Sequence, residues 1–198
     1  MTKRIAICAP ATPITAEDAE RVLAYLRTTK ELGIRWMVGA GARLTGYVDS
    51  DWSTLKSTTG YACLLACGLI HYGAKGQPTI AVSSTEAEIM AASVAALEAI
   101  FHRGLLSDVG AAQSGSTSLG IDNQGALALA HDYVSNSKTK HIERRHLRIR
   151  ELVQSSAITP EYVPTEDNPA DILTKPLGRR LFEKHRRKLM NMWVAPVP

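Results

Sequence analysis

The stretch that most constrains this chain is Ser83 to Leu106, SSTEAEIMAASVAALEAIFHRGLL, which predicts one long helix carrying a single out-of-place carboxylate. Its apolar residues Ala87, Met90, Ala91, Val94, Leu97, Phe101 and Leu105 recur at three- and four-residue steps, the period of a helix that lays one face on a core. Ser83 with Glu86 three residues on fits a capping box, so Glu86 has a structural job. Glu88 has none. At about 100° per residue it lies roughly 200° from Glu86 and beside the buried stripe, where an unpaired carboxylate is costly. Glu88 is therefore either a solvated flank residue, half of a salt bridge, or a group that needs a cation or a proton.

At 198 residues with 45% apolar content the chain can bury a full core, and one domain with appended segments is the default. No apolar run approaches the length that spans a bilayer, and MTKRIAICAPATPI is a poor signal peptide because Pro10 and Pro13 interrupt it. A soluble, intracellular protein without a membrane partner is expected. Cys8, Cys63 and Cys67 lack zinc-ligand spacing, and the latter two sit in the strand-like YACLLACGLI, so buried thiols are expected. The net charge is +4, but from Lys138 to Lys188 there are 13 Lys and Arg against 7 Asp and Glu, which suggests a polyanion partner or a solvated basic face.

Taken in order, residues 1–14 form an N-terminal tail, and Thr15 can cap a helix over AEDAERVLAYLRTTKELG that Gly33 stops. Ile34 to Val38 predicts a short strand and Gly39 to Gly41 a turn. LTGYVDSDW then reads as a strand, in which Asp49 and Asp51 share a face with Tyr47; Asp is a poor strand former, so these mark an edge and turn or a cation site. Ser57 to Gly60 is a turn signal, and YACLLACG and LIHYGAK, separated by Gly68, complete an antiparallel meander. After the long helix, SLGIDN predicts a strand ending in Asp122 just before the helical QGALALAHD. Ligands gather at such strand ends, although an ordinary N-cap Asp competes as the explanation. Lys138 to Gln154 predicts a basic helix with His141, Arg144, Arg145 and Arg148 free for solvent or phosphate. Ile158 to Val163 reads as a strand, Pro164 to Asn168 as a loop, and Asp171 opens a short helix that Pro176 ends. Leu181 to Met192 predicts a further basic amphipathic helix, and Val194 to Pro198 a frayed tail.

Asp49, Glu88, Asp122 and Asp171 thus lie in four different elements of a mixed βββαβα order. Together, at strand ends and helix starts, they point to a site for two magnesium ions, since carboxylates are hard ligands and magnesium keeps waters and phosphate oxygens beside them. Two such ions about 4 Å apart can activate water and stabilise the leaving oxygen of a phosphodiester displacement.

The strings GYVDSDW, KSTTGY, SSTEAEIMAA, IDNQGALAL, KTKHIE and YVPTEDNPADILTKPL resemble the ribonuclease H domain of copia-type LTR retrotransposon polyproteins, and RVLAYLRTTKELGI is similar to the connection segment after reverse transcriptase. The resemblance runs from about Glu17 to about Arg187. It implies a ribonuclease H fold, an α/β five-stranded mixed sheet with flanking helices, that cuts the RNA strand of RNA/DNA hybrids. It places a connection helix and strand at 15–40, the ribonuclease H domain at 41–178 and a C-terminal basic helix and tail at 179–198. By motif, Asp49 would bridge both magnesium ions, with manganese as a substitute. Glu88 and Asp122 would hold the ion at the leaving group, and Asp171 would complete the ion that activates water. Gln124, with Asn123, would contact the hybrid; that Lys140, His141, Arg144, Arg145 and Arg148 meet its phosphates is an expectation from charge and helical spacing. An adjacent reverse transcriptase domain is the implied protein partner, and the setting is the cytoplasm, virus-like particles or the nucleus. One departure stands out: cellular ribonucleases H carry a His in the loop before the last carboxylate, and Pro164 to Asn168 has none. Two other readings remain, a polynucleotidyl transferase such as an integrase and a non-catalytic module that holds a hybrid or supports a polymerase.

Overall fold

The computed structural model describes residues 15–37, 41–52, 56–131 and 148–192. Helix α1 (Ala16–Thr29) starts on a capping box in which Thr15 accepts the Asp18 N–H while the Asp18 carboxylate accepts the Thr15 N–H. The strand expected from Ile34 does not form over the described residues 34–37. The backbone there bonds outside the sheet, Arg35 N–H to the Met190 carbonyl and Met37 N–H to the Ala66 carbonyl.

Strands β1 (Leu44–Asp51), β2 (Thr58–Leu65), β3 (Gly68–Gly76), β4 (Thr117–Ile121) and β5 (Ile158–Tyr162) make one mixed sheet in the order β3-β2-β1-β4-β5. β3, β2 and β1 run antiparallel, and β1, β4 and β5 run parallel, as the expected five-stranded mixed sheet requires. Thr58, Thr59 and Gly60 belong to β2 rather than to a turn. Gly60 is glycine for packing, because a Cβ there would lie 2.5 Å from Thr174 Cγ2 and 2.9 Å from Leu173 Cβ. The β2–β3 hairpin turns on Ala66 and Cys67, both in the left-handed region with φ of 48° and 66°, one residue before Gly68. Cys67 is consequently exposed, against the expectation of a buried thiol, whereas Cys63 is buried. Cys8 lies outside the described residues.

Helix α2 (Ser84–Asp108) is the long helix, capped by Ser83, whose hydroxyl accepts the Glu86 N–H. The Glu86 carboxylate accepts from Val82 N–H, one residue ahead of the cap. The face laid on the sheet differs from the expected stripe. Ala87, Ile89, Met90, Ala91, Ala92, Ala95, Ala96 and Ala99 are buried, while Val94, Leu97, Phe101 and Leu105 are exposed. Alanines let the helix axis approach β1 and β2 closely, which turns the larger side chains outward. By length and composition α2 is apolar enough to cross a membrane, which corrects the expectation that no run approaches that length; here it is a core helix with Glu86 and Glu88 among its buried residues.

Helices α3 (Gln124–His131) and α4 (Arg148–Gln154) join α2 on one sheet face, where Val48, Leu119, Ile121, Ile149 and Ile158 form the main core. Of the basic helix expected from Lys138, residues 148–154 are described and are helical. The other face is thinner. Ala62, Leu64, Tyr47 and Leu69 pack against Ile172, Leu173 and Leu189, the last from helix α5 (Arg179–Met190). Two 3-10 helices, Thr165–Asp167 and Pro169–Leu173, lead into α5. Asn168 caps the second one, so Asp171 sits inside it rather than opening it.

Candidate active site

β1 ends at the middle of the sheet, between an antiparallel and a parallel neighbour, and its last turn of sequence builds the site. Alternation sends Val48 and Ser50 toward α2 and Asp49 toward the second 3-10 helix. Ser50 donates both its N–H and its hydroxyl to Glu88 Oε1, at 3.0 and 2.9 Å. Those bonds fix a buried carboxylate whose other oxygen, Oε2, has no hydrogen-bond partner. Asp122 follows β4 directly, which is parallel to β1, so both strands deliver an acid to the same edge of the sheet. Ligand oxygens of Asp49, Glu88 and Asp122 lie within 4.8 Å of one another.

Asp171 approaches from the opposite face. Its 3-10 helix is pinned to β1 by Asn168, fully buried, which donates through Nδ2 to the Val48 carbonyl at 2.8 Å. Gly60, the register partner of Asp49, leaves the space that the helix needs. Asp171 is joined to Asp49 through one cation: Lys175 Nζ donates to Asp49 Oδ1 at 2.8 Å and to Asp171 Oδ1 at 3.1 Å. The Thr174 hydroxyl donates to the second Asp49 oxygen, Oδ2.

The acids are held in a poorly solvated place, and their proton affinities follow. Burial pushes the Glu88 carboxyl up to about 8, with Asp49 and Asp122 adding to the rise and the Ser50 bonds opposing it. Burial also pushes Asp171 up to about 7, with Asp49 adding and Lys175 opposing. Asp49 is raised by burial against the pull of Lys175. Such a set fits a hard divalent cation: oxygen donors converge, their charges repel, and one buried carboxylate oxygen lacks a partner.

The four acids expected from sequence are therefore brought to one end of β1, three in mutual contact range and Asp171 across Lys175. Asp51 is half-buried and outside that group. Asn123 caps α3, its Oδ1 accepting the Ala126 N–H at 2.9 Å, and Gln124 is exposed at the start of the same helix. Arg148 is exposed and paired with Glu151. Lys140, His141, Arg144 and Arg145 lie outside the described residues. Sequence reasoning missed Ser50, Asn168, Thr174 and Lys175. Lys175 had a readable signal, since it follows Asp171 by one helical turn in ADILTK, and the other three hold acids through contacts across the fold.

The chain is 36% identical over 181 residues to a retrovirus-related Pol polyprotein from transposon RE2 of Arabidopsis thaliana, which covers 89% of this chain and 12% of that protein. It is 34% identical over 171 residues to the corresponding polyprotein from transposon TNT 1-94 of Nicotiana tabacum, covering 84% and 13%. The chain thus spans about an eighth of the length of these curated relatives. No protein-family model matches it. Among solved structures it is similar to an RNase H1 isolated from compost by a metagenomic approach, with a TM-score of 0.51, 15% identity and coverage of 67% of this chain and 93% of the other. That likeness is one of fold.

Proposed function

Since this chain is homologous to a segment of retrovirus-related Pol polyproteins of transposons and has a ribonuclease H fold, we propose that it is an endoribonuclease that hydrolyses the RNA strand of RNA/DNA hybrids during reverse transcription. The observation that carries the proposal is the convergence of Asp49, Glu88 and Asp122 within 4.8 Å, with Asp171 tied to Asp49 by Lys175. Asp49, Glu88 and Asp122 would hold one divalent ion and Asp49 with Asp171 a second, magnesium with manganese as substitute. When bound, such ions supply an activated water and a charge that stabilises the leaving oxygen. The chain's own groups orient the acids. Ser50 fixes Glu88 by one oxygen and leaves the other without a protein partner, while Thr174 and Asn168 hold Asp49 and the Asp171 helix in register. Gln124, exposed two residues after Asp122, would meet the hybrid, whose recognition through 2′-hydroxyls and phosphates suits broad sequence tolerance. The flanking reverse transcriptase domain of such a polyprotein and an intracellular setting belong to the same proposal. Exposed Leu23, Leu26, Trp36 and Met37 support a protein partner on the α1 side.

The test is cleavage of an end-labelled RNA/DNA hybrid in magnesium, run beside Asp49→Asn. Cuts inside the RNA strand, lost in the variant and leaving duplex DNA intact, are expected. Cutting that persists in excess chelator, or equal cutting of duplex DNA, refutes the ion-dependent reading. Tight hybrid binding without cleavage in any metal assigns the chain to the non-catalytic module instead.

A further inference from the structure

The candidate site is asymmetric in a way the acid motif alone does not reveal. At one end Glu88 Oε2 is buried and has no hydrogen-bond partner, so an ion entering beside Glu88 and Asp122 takes up an oxygen that no protein group claims. At the other end the carboxylates are already served. Asp49 is fully buried, with Oδ1 on the Lys175 ammonium and Oδ2 on the Thr174 hydroxyl. Asp171, 1% exposed, gives its Oδ1 to the same ammonium. Two buried carboxylates side by side are strongly unfavourable without a counter-charge, and a single ammonium bonded to both provides it.

Lys175 is also built to stay at hand. It lies one turn after Asp171, and its own N–H donates to the Asp171 carbonyl at 2.9 Å, so the backbone keeps the side chain over the pair. Its side chain is 32% exposed, which gives the ammonium a route outward into water without unfolding the 3-10 helix. A lysine, a compact point charge on a flexible stem, suits such an exchange better than the rigid fork of an arginine.

We propose that Lys175 is a tethered cation that occupies the position between Asp49 and Asp171 in the metal-free protein and yields it to a divalent ion, thereby setting the concentration at which the second ion enters. The proposal rests on the reading of the four acids as an ion site given above. It makes Lys175 a positioning residue: it keeps Asp171 against Asp49 when no ion is present, and it competes with the ion that would replace it. The first ion meets at Glu88 Oε2 an oxygen that no protein group holds and leaves Lys175 on Asp171, whereas the second displaces the ammonium from both carboxylates, so the two bind at well-separated concentrations.

The test is calorimetric titration of magnesium into the whole chain and its Lys175→Gln and Lys175→Arg variants, without substrate. The wild type is expected to bind in two steps, with the second tightened about tenfold in Lys175→Gln and left weak in Lys175→Arg. Because Lys175→Gln leaves two buried carboxylates without their counter-charge, a second measurement uses the wild type alone. The 15N resonance of the Lys175 ammonium, identified by its absence from Lys175→Arg, is followed through the titration. It should hold through the first step and shift or vanish with the second. A second-step affinity within twofold of wild type in folded Lys175→Gln, or an ammonium resonance unmoved through both steps, overturns the proposal. Absence of any magnesium binding in every variant overturns the ion-site reading beneath it as well, so the two failures are told apart.

Discussion

Glu88 is the carboxylate whose position in the sequence raised the question of a site, and its surroundings give that question a number. Its carboxyl is pushed up to about 8 by burial first and by Asp49 and Asp122 next. A group raised in the folded state contributes stability that is fully present below its unfolded value, near 4.5, and is lost as pH rises through the folded one. In chelator, the loss at pH 8 is on the order of 4 kcal/mol. Glu88→Gln keeps the acceptor for Ser50 and removes the charge. Its melting temperature should exceed that of the wild type by a margin that grows from pH 5 to pH 8, and saturating magnesium should erase the margin. A constant margin across that range would show that Glu88 is not held as a strained carboxylate. Asp171 differs because Lys175 can remain on Asp49 when Asp171 is gone. Its carboxyl is pushed up to about 7 by burial against the pull of Lys175, so in chelator Asp171→Asn should be at least as stable as the wild type at neutral pH, while hybrid cleavage falls by orders of magnitude. Circular dichroism melts beside the cleavage assay check both halves.

At the level of elements, most of what the sequence predicted by periodicity is present, and the misses share a cause. The strand with Asp49, the strand ending at Asp122 and the long helix are where alternation and helical spacing placed them. The face of α2 was not legible. A helix apolar nearly all round offers no single stripe to read, and the sheet chose the alanines for close approach rather than Val94, Leu97, Phe101 and Leu105. Thr58, Thr59 and Gly60 have turn-like composition, yet Gly60 is required because the Asp171 helix lies on it, a contact between residues far apart in the chain. The Asn168 bond to the Val48 carbonyl spans 120 residues and leaves no local signal. Gly60→Ala tests this element-scale account. Its methyl would sit 2.5 Å from Thr174 Cγ2 and 2.9 Å from Leu173 Cβ, so the 3-10 helix must lift away from β2. A cost of about 1–3 kcal/mol is expected, and with it a larger loss of magnesium affinity than an overpacked core position elsewhere would give. Calorimetry on Gly60→Ala beside an Ala95→Val control in α2 separates the two, and equal loss in both would remove Gly60 from the site.

Over the whole molecule, the buried histidine under α5 and the acids at the end of β1 carry opposite pH liabilities. The face covered by α5 buries His185 completely, with neither ring nitrogen hydrogen-bonded, so burial first and then Lys184 and Lys188 lower its pKa to about 4. A histidine kept neutral in the fold binds fewer protons than the unfolded chain does below about 6.5, so its contribution is full above that pH and is lost as pH falls toward 4. By pH 5 the loss is about 2 kcal/mol. The acids at the end of β1 act in the other direction, since Glu88 and Asp171 lose stability as pH rises toward 8 and 7. In chelator His185 therefore offsets only one of the two acids between about pH 4.5 and 6.5, and the melting temperature should fall gently there and more steeply just above pH 6.5. Magnesium binds the folded acids and not the unfolded chain, so it should lift the alkaline side and leave the acid side unchanged. His185→Met, a neutral side chain of similar bulk, relieves two unpartnered ring nitrogens at every pH and should gain more below about pH 6.5 than above it. Melting curves of the wild type and His185→Met from pH 4.5 to pH 8.5, with and without magnesium, carry the test. A magnesium effect that is uniform across this range, or a His185→Met gain that is equal at pH 5 and pH 8, would show that His185 and the acids are not the separate sources of this pH dependence.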